Sequence, residues 1–276
     1  MISREQLHAA ADELDLADRP VLVHASLRSF GAPVAGDTLL DTLLSLGATV
    51  LVPSFSEPQF GVAAPPSARP LRNGIDYANP PATAPRDEPY TVDCGLVNDH
   101  LGVFPKVVLA RPDVARGRHP LNSFAAVGPL AAGLVESQRP TNVYEPIREL
   151  AARDGRILLI GVGLNRMTAI HLAEQQSGRR LFVRWARDAE GATVTAEVGS
   201  CSEGFPRLTP TLRPLAATRW VGSSVWQAFP ARETLAAATA AIAADQSVTH
   251  CADPVCRSCA DAMAGGPLDF AGSARR

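Results

Sequence analysis

Apolar residues in the first part of the chain alternate between short continuous runs and helical spacing. The runs VLVH (21–24) and TVLVP (49–53) have the length of buried strands, and DTLLDTLLSL between them has leucines three and four residues apart. Asp37 is a candidate N-cap for this helix. The order predicts a strand-helix-strand unit, preceded by a helix that Ser3 and Gln6 begin with a capping-box pattern.

The second half of the chain repeats these patterns. RILLIGV (156–162) predicts a strand that leads into a helix near 167–177, and LFVRWA and ATVTAEV predict a hairpin with its turn at 188–191. Further helices are expected near 99–110, 129–137, 145–153 and 230–245, with a strand near 216–223. The pattern predicts an α/β fold in which helices flank a mixed central sheet.

Proline is concentrated between the second strand and the next helical segment. Nine of the 23 prolines fall within residues 53–89, where apolar runs are few. Loops of this length inside a compact domain are usually functional or disordered. Because Phe55, Phe60 and Tyr77 provide side chains that can pack, we expect residues 53–98 to form a long proline-rich lid on the substrate side of one domain.

Composition and charge narrow the function classes. The 276 residues are 46% hydrophobic and 20% charged, as in an ordinary globular protein, and the net charge of -2 comes without a basic stripe. The sequence has neither a signal-peptide apolar region nor a run of about 20 apolar residues. We expect a cytoplasmic protein that binds neither nucleic acid nor membrane.

Five cysteines are too few, and odd in number, for a disulfide scaffold. Three of them lie in HCADPVCRSC (250–259), which offers His250, Cys251, Cys256 and Cys259 as four zinc ligands. Adjacent ligands such as His250 and Cys251 are geometrically awkward, so free thiols are the favoured interpretation. We expect one large domain over residues 1–248, followed by a cysteine-containing appendage at 249–276.

GVGLNRMTAIHLAEQQ (161–176) carries Thr168, His171 and Glu174 at three-residue intervals, which places them on one helix face. An imidazole with an ordinary pKa near 6.5 can accept a proton at cellular pH, so His171 is a candidate general base. From spacing alone, a structural histidine, a capping threonine and a solvated glutamate remain open. A dinucleotide loop is disfavoured because Arg166 stands where the third glycine is needed.

Three further polar segments accompany this one: VHASLRSFG (23–31), GRHPLNSFAAVGP (117–129) and GSCSEGF (199–205). In this order and spacing the four segments resemble the aminoglycoside 3-N-acetyltransferase family, over residues from about 5 to 225. The resemblance implies direct transfer of an acetyl group from acetyl-CoA to an amine, with no metal required and no acyl-enzyme on Cys201. The partners it implies are coenzyme A and a small amine, bound by a monomer or homodimer.

The resemblance also implies roles for individual residues. His171 matches the family's general base, Glu174 the carboxylate that supports it, and Thr168 a hydroxyl near the thioester that steadies the oxyanion or the sulfur. Positions matching or flanking the coenzyme cleft are His24, Ser26, Leu27, Arg28, Ser29, His119, Ser123 and Phe124. Amides of the pantetheine arm need hydrogen-bond partners, and Arg28 and Arg118 are candidates for the pyrophosphate charge.

The chain departs from the family pattern at one point, which concerns the acceptor. Members that act on aminoglycosides usually read Gly-His-Asp-Ser-Asn-Thr, whereas this chain has Asn165 in place of the aspartate, followed by Arg166. A polycation needs an acidic wall. Candidate substrate-binding residues are Asp76, Asp99, Asn165 and Glu203. An aminoglycoside acetylated at its 3-amino group, a different amine, and a non-catalytic coenzyme- or drug-binding protein all remain open.

Overall fold

A computed structural model describes residues 2–80 and 88–268 of the chain. Its α-helices are α1 (Arg4–Glu13), α2 (Gly36–Ser45), α3 (Phe104–Leu109), α4 (Ala131–Val135), α5 (Glu145–Ala152), α6 (Ala169–Gln176), α7 (Thr209–Leu212), α8 (Ala231–Ala244) and α9 (Arg257–Met263). Its strands are β1 (Pro20–Ala25), β2 (Thr49–Pro53), β3 (Gly61–Val62), β4 (Ala115–Arg116), β5 (Phe124–Val127), β6 (Arg156–Ile160), β7 (Phe182–Arg187), β8 (Thr193–Val198), β9 (Ala217–Val221) and β10 (Ser224–Pro230).

Seven strands form a central sheet in the order β4-β5-β2-β1-β6-β10-β9. β1 runs parallel to both β2 and β6, whereas the four outer pairings are antiparallel. The predicted mixed α/β sheet is confirmed. Because the connection from β1 goes to β2 on one side and β6 lies on the other, the strand order reverses at β1, where α/β sheets open a binding crevice.

Alternating side chains on the central strands build two cores. Val21 and Val23 pack with α1, α2 and α3 on one face of the sheet. Leu22 points to the opposite face and packs with α4, α5, α6 and α8. Apolar residues on both faces of β1 explain the continuous hydrophobic run that predicts this strand, since a central parallel strand is covered on both sides.

The predicted hairpin forms, but it belongs to a second sheet. β7 and β8 pair across the turn at 188–191, and β3 adds to the outer edge of β7. This small sheet packs on residues of the proline-rich segment, where the rings of Phe60 and Tyr90 meet edge to face at 5.4 Å. Aromatic packing therefore anchors the described parts of the segment to the small sheet, and its residues 81–87 lie outside the described residues.

Several local predictions need correction. Asp37 lies in the first turn of α2, whose N-cap is Ala35. The helix expected near 99–110 begins at Phe104, after a short 3₁₀ turn at Asp99–Leu101. The sequence does not predict β10, because its polar Gln227 and its end at Pro230 weaken the strand pattern. The predicted capping box is confirmed: the Ser3 side chain accepts the backbone N–H of Gln6, and the Gln6 side chain accepts the backbone N–H of Ser3.

The C-terminal segment packs on the rest of the chain. Ala262 of α9 joins the small core of the second sheet, and the backbone N–H of Leu268 donates to the Leu71 carbonyl at 2.9 Å. The final residues, 269–276, lie outside the described residues. No helix in the described ranges has the length and hydrophobicity that crossing a bilayer requires.

Candidate active site

A cleft of about 740 Å³ opens at the carboxyl ends of β1 and β6. Its volume lies within the usual range for small-molecule sites. The lining includes the turn after β1, the turn after β6, the start of α6 and the segment that follows β8. Two of the polar segments singled out in the sequence, 23–31 and 161–176, therefore meet at the point where the strand order reverses.

His171 and Glu174 form a hydrogen-bonded pair on α6. Nδ1 of His171 lies 2.8 Å from Oε2 of Glu174, and the two residues are 9% and 3% exposed. A carboxylate at Nδ1 favours the tautomer with the proton on that nitrogen, which leaves the Nε2 lone pair to accept a proton. His171 lines the cleft, so the pair has the arrangement of a general base with its orienting acid.

Glu174 is held by polar groups that the sequence analysis missed. Ser200 donates to Oε2 at 2.9 Å, Thr249 donates to Oε1 at 3.2 Å, and Arg179 forms a buried ion pair with Oε1. Burial alone raises the pKa of the Glu174 carboxyl, but the interactions with His171 and Arg179 outweigh it, so the pKa lies below its ordinary value. The carboxylate is therefore charged and fixed behind the imidazole.

The imidazole is packed against two aromatic rings and a glycine. The Tyr144 ring stacks on His171 with centroids 6.1 Å apart, and Phe205 meets it edge to face at 4.8 Å. Gly199 passes so close that an added Cβ would lie 2.7 Å from the imidazole carbons and 2.6 Å from the Tyr144 hydroxyl. Only glycine fits at this position without displacing the histidine.

Thr168 occupies the N-cap position of α6, but its side chain makes no capping hydrogen bond. The residue is 9% exposed and lines the cleft beside His171. Its hydroxyl is thus not consumed by the helix end, which is the ordinary role of a threonine here. Thr168, His171 and Glu174 are brought together as their spacing predicts.

The turn after β1 forms one wall of the cleft. His24, Ser26, Leu27 and Arg28 all contribute to the lining. Ser29 instead supports the turn from behind, since its hydroxyl donates to the Ser26 carbonyl at 2.7 Å and lies 2.7 Å from the Ser224 hydroxyl. An added Cβ on Gly161 would lie 2.0 Å from the Ser29 hydroxyl, so the two turns pack directly together.

Two buried polar atoms of residues that line the cleft lack a partner within the described part of the chain. They are Nε2 of His24 and Oδ1 of Asn122, in residues that are each 7% exposed and line the cleft. Burial, assisted by the charge of Arg166, lowers the pKa of His24 to about 3, so its imidazole is neutral. Buried polar groups are normally hydrogen-bonded, which points to a ligand that supplies both partners.

His119, Ser123 and Phe124 lie behind this wall, outside the cleft lining and fully buried. Nδ1 of His119 accepts the backbone N–H groups of Leu121 and Asn122 at 3.2 and 2.8 Å, while Nε2 faces the Glu197 carbonyl at 2.9 Å. The pKa of His119 is lowered to about 4, mainly by burial. The structure therefore places His119 in the turn that carries Asn122 to the cleft.

The candidate acceptor residues are divided between the cleft and the surface. Asp99 and Asn165 line the cleft, and Glu203 accepts from the Asn165 amide at 3.3 Å. Asp76 is outside the lining, 3.9 Å from Arg257. Arg118 is also exposed and lies in a separate groove. Sequence reasoning missed Glu57, whose segment folds back onto the cleft.

Among the described residues that line the cleft, positively charged side chains outnumber negatively charged ones. The charged residues are Arg28, Lys106, Arg166 and Arg184 against Glu57 and Asp99. Asp99 is already paired with Lys106 at 2.6 Å. Burial raises the pKa of Glu57, an effect that the charge of Arg184 only partly offsets. The cleft therefore presents a cationic surface with one carboxylate set inside it.

Comparison with known proteins identifies the family. The sequence model of the aminoglycoside 3-N-acetyltransferase family matches residues 22–243, which are four fifths of the chain. The chain belongs to this family. The matched region contains His171, Glu174 and Thr168, but it ends before Thr249, so part of the environment of Glu174 comes from outside it.

Curated relatives match over part of their length. The chain is 31% identical to aminoglycoside N(3)-acetyltransferase IX of Micromonospora chalcea over 184 residues, covering 63% of this chain and 62% of that protein. It is 30% identical to aminoglycoside N(3)-acetyltransferase IV of a Salmonella species over 161 residues, covering 56% and 51%. The chain thus spans between half and two thirds of these relatives.

Solved structures share the fold. The apoenzyme of aminoglycoside acetyltransferase AAC(3)-IVa superposes with a TM-score of 0.75 at 24% identity, over 96% of this chain and 97% of that one. YokD of Bacillus subtilis gives 0.71 at 21% identity, over 88% and 100%. A complex with a gentamicin has also been solved for a mutant of AAC(3)-IVa.

Proposed function

We propose that this protein is an acetyl-CoA-dependent N-acetyltransferase that transfers the acetyl group directly to an amine of an aminoglycoside or another amino-sugar-like acceptor. The observation that carries the proposal is the His171–Glu174 pair at 2.8 Å on the wall of the cleft. Membership of the aminoglycoside 3-N-acetyltransferase family supports the reaction class.

In the proposed mechanism, His171 removes the proton from the attacking amine through Nε2. Glu174, charged and hydrogen-bonded at Nδ1, holds the ring in position and stabilises the imidazolium that forms. A general base of this kind contributes about 10²- to 10⁴-fold to the rate. The Thr168 hydroxyl lies on the same wall, where it can donate to developing negative charge on the acyl oxygen or the sulfur.

The residues present fit coenzyme A, which when bound supplies the acetyl thioester. Nε2 of His24 and Oδ1 of Asn122 are buried polar atoms that amide groups of the pantetheine arm can satisfy. Arg28 lines the same cleft, and its guanidinium group suits phosphate oxygens. Binding of the coenzyme phosphates would use part of the positive charge around the cleft.

Two candidate acceptors are supported by different observations. The family and its relatives point to an aminoglycoside as the acceptor. The cationic lining, in which Asp99 is already paired and Glu57 has a raised pKa, instead favours an amine of lower positive charge. We retain this second candidate because a polycation would meet more arginine than carboxylate.

Thiol release from acetyl-CoA tests the proposal directly. The protein would be assayed with a panel of aminoglycosides and with monoamino sugars, each at low and physiological salt. Release with any of these amines, abolished by His171→Gln, supports the transferase. Release with monoamino sugars alone selects the second candidate. Coenzyme binding without release for the whole panel contradicts the proposed transferase and leaves a binding protein.

A further inference from the structure

Four cysteine side chains converge at the C-terminal end of the described chain. The sulfur atoms of Cys201, Cys251, Cys256 and Cys259 all lie within 4.8 Å of one another. Cys201 follows β8, whereas the other three lie in residues 251–259. The set differs from the one that the sequence suggests, because Cys201 replaces His250, whose Nδ1 instead faces the Cys251 carbonyl at 2.8 Å.

The spacing of the sulfurs fits a shared metal ion. Four thiolates at the usual Zn–S distance of about 2.3 Å form a tetrahedron with edges of about 3.8 Å. A disulfide would bring two sulfurs to about 2.05 Å, and all four cysteines are free. A compact set of four soft donors is typical of zinc.

Backbone amides surround the cluster in the way that supports thiolate ligands. The Cys251 N–H donates to the sulfur of Cys259 at 3.4 Å. The N–H groups of Glu203 and Cys259 donate to Cys201 and Cys256, respectively. Hydrogen bonds of this kind orient metal ligands and stabilise their charge.

We propose that Cys201, Cys251, Cys256 and Cys259 bind one structural zinc ion. Four protein ligands complete a tetrahedral shell, so the site is closed and takes no part in the transfer chemistry. It lies outside the cleft lining, and the proposal does not depend on the proposed transferase activity.

The site would fasten two segments that support the catalytic base. Ser200, next to Cys201, and Thr249, two residues before Cys251, both donate to Glu174. A zinc ion would tie these segments together immediately behind the carboxylate. Its binding free energy would then also stabilise the folded position of the C-terminal segment.

The first test measures metal in the full-length protein purified without chelator or added metal. Elemental analysis is expected to find about one zinc ion per chain. A thiol-modifying reagent should release it to a chromogenic indicator, and cobalt replacement should give the strong visible absorption of a tetrahedral thiolate site. Substoichiometric zinc with reactive thiols, iron in its place, or an intact mass showing disulfides would overturn the proposal.

Variants test the ligand set. Cys256→Ser and Cys259→Ser are expected to lose zinc and to lower the thermal midpoint, whereas Cys94→Ser, in the remote segment beside Arg116, should retain the metal. Full zinc retention in the double variant of Cys256 and Cys259 would contradict the assignment. The metal content of the unaltered protein remains decisive if a variant fails to fold.

Discussion

Arg179 and Glu174 form an ion pair in which each side chain is only 4% exposed. Arg179 also donates to Thr249 at 2.8 Å and to the Gln246 amide oxygen at 2.9 Å. The pair therefore joins α6 to the segment after α8. The interaction with His171, together with the charge of Arg179, outweighs burial and keeps the pKa of the Glu174 carboxyl below its ordinary value.

Arg179→Met is expected to destabilise the protein by about 3–5 kcal/mol, because it leaves a buried carboxylate without its partner. Chemical denaturation measures the effect. The matched control is Arg153→Gln, which breaks a more exposed pair with Glu149 and should cost at most about 1 kcal/mol. Equal losses in both variants would show that burial of the pair is unimportant.

His171→Gln is expected to lower kcat by about 10²- to 10⁴-fold while the far-ultraviolet circular dichroism is unchanged. Glutamine keeps much of the volume but cannot accept a proton from the amine. Thiol release under saturating substrates measures the loss. A decrease of less than tenfold would remove His171 from the role of general base.

Gly199→Ala is expected to reduce kcat by about 10²-fold, because the new methyl group displaces the imidazole that it would otherwise meet at 2.7 Å. Gly133→Ala in α4 is the control, since its nearest neighbour would be an Arg153 nitrogen at 3.7 Å. Full activity in the Gly199 variant would show that the base tolerates displacement.

Acid is expected to destabilise the fold from about pH 6.5 downward. The pKa values of His24 and His119 are lowered to about 3 and about 4, so below pH 6.5 the unfolded chain binds protons that the folded chain does not. At pH 5 each contributes a loss of about 2 kcal/mol. Denaturation at several pH values should show a shallower dependence in His119→Asn, whereas an unchanged slope would contradict this origin.

Arg166→Asn is expected to lower the KM for a polycationic acceptor about three- to tenfold at low salt, because it removes one repelling charge from the cleft. The advantage should shrink as salt rises. Arg219→Gln, which changes the net charge equally at a remote exposed pair, is the control. An increase in the KM for acetyl-CoA alone would instead assign Arg166 to the coenzyme.

The sequence predicts what is local and misses what is assembled from distant segments. The continuous apolar run predicts β1, and the three-residue spacing predicts that Thr168, His171 and Glu174 share one helix face. Both predictions succeed because they depend only on residues that are close in the sequence. Ser200 and Arg179 reach Glu174 only through the tertiary structure. No local pattern distinguishes such residues from ordinary surface serines and arginines.

The same limit applies to whole elements and to the cysteines. The hairpin of β7 and β8 is visible from its turn, but its separation from the central sheet depends on β3, which comes from the proline-rich segment. Cys201 joins three cysteines about 50 residues further along the chain. Within residues 250–259, His250 looks like the fourth ligand because it is next to Cys251 in the sequence. The sequence does not show that folding brings Cys201 to the other three cysteines.

The contact between Thr249 and Glu174 has a consequence for the order of events during synthesis. Every strand of the central sheet is complete by Pro230, so a nascent chain can form the sheet and the cleft before residue 249 leaves the ribosome. Until then the carboxylate behind His171 lacks one of its buried donors. The finished geometry of the base therefore depends on a segment that is made after the strands of the central sheet.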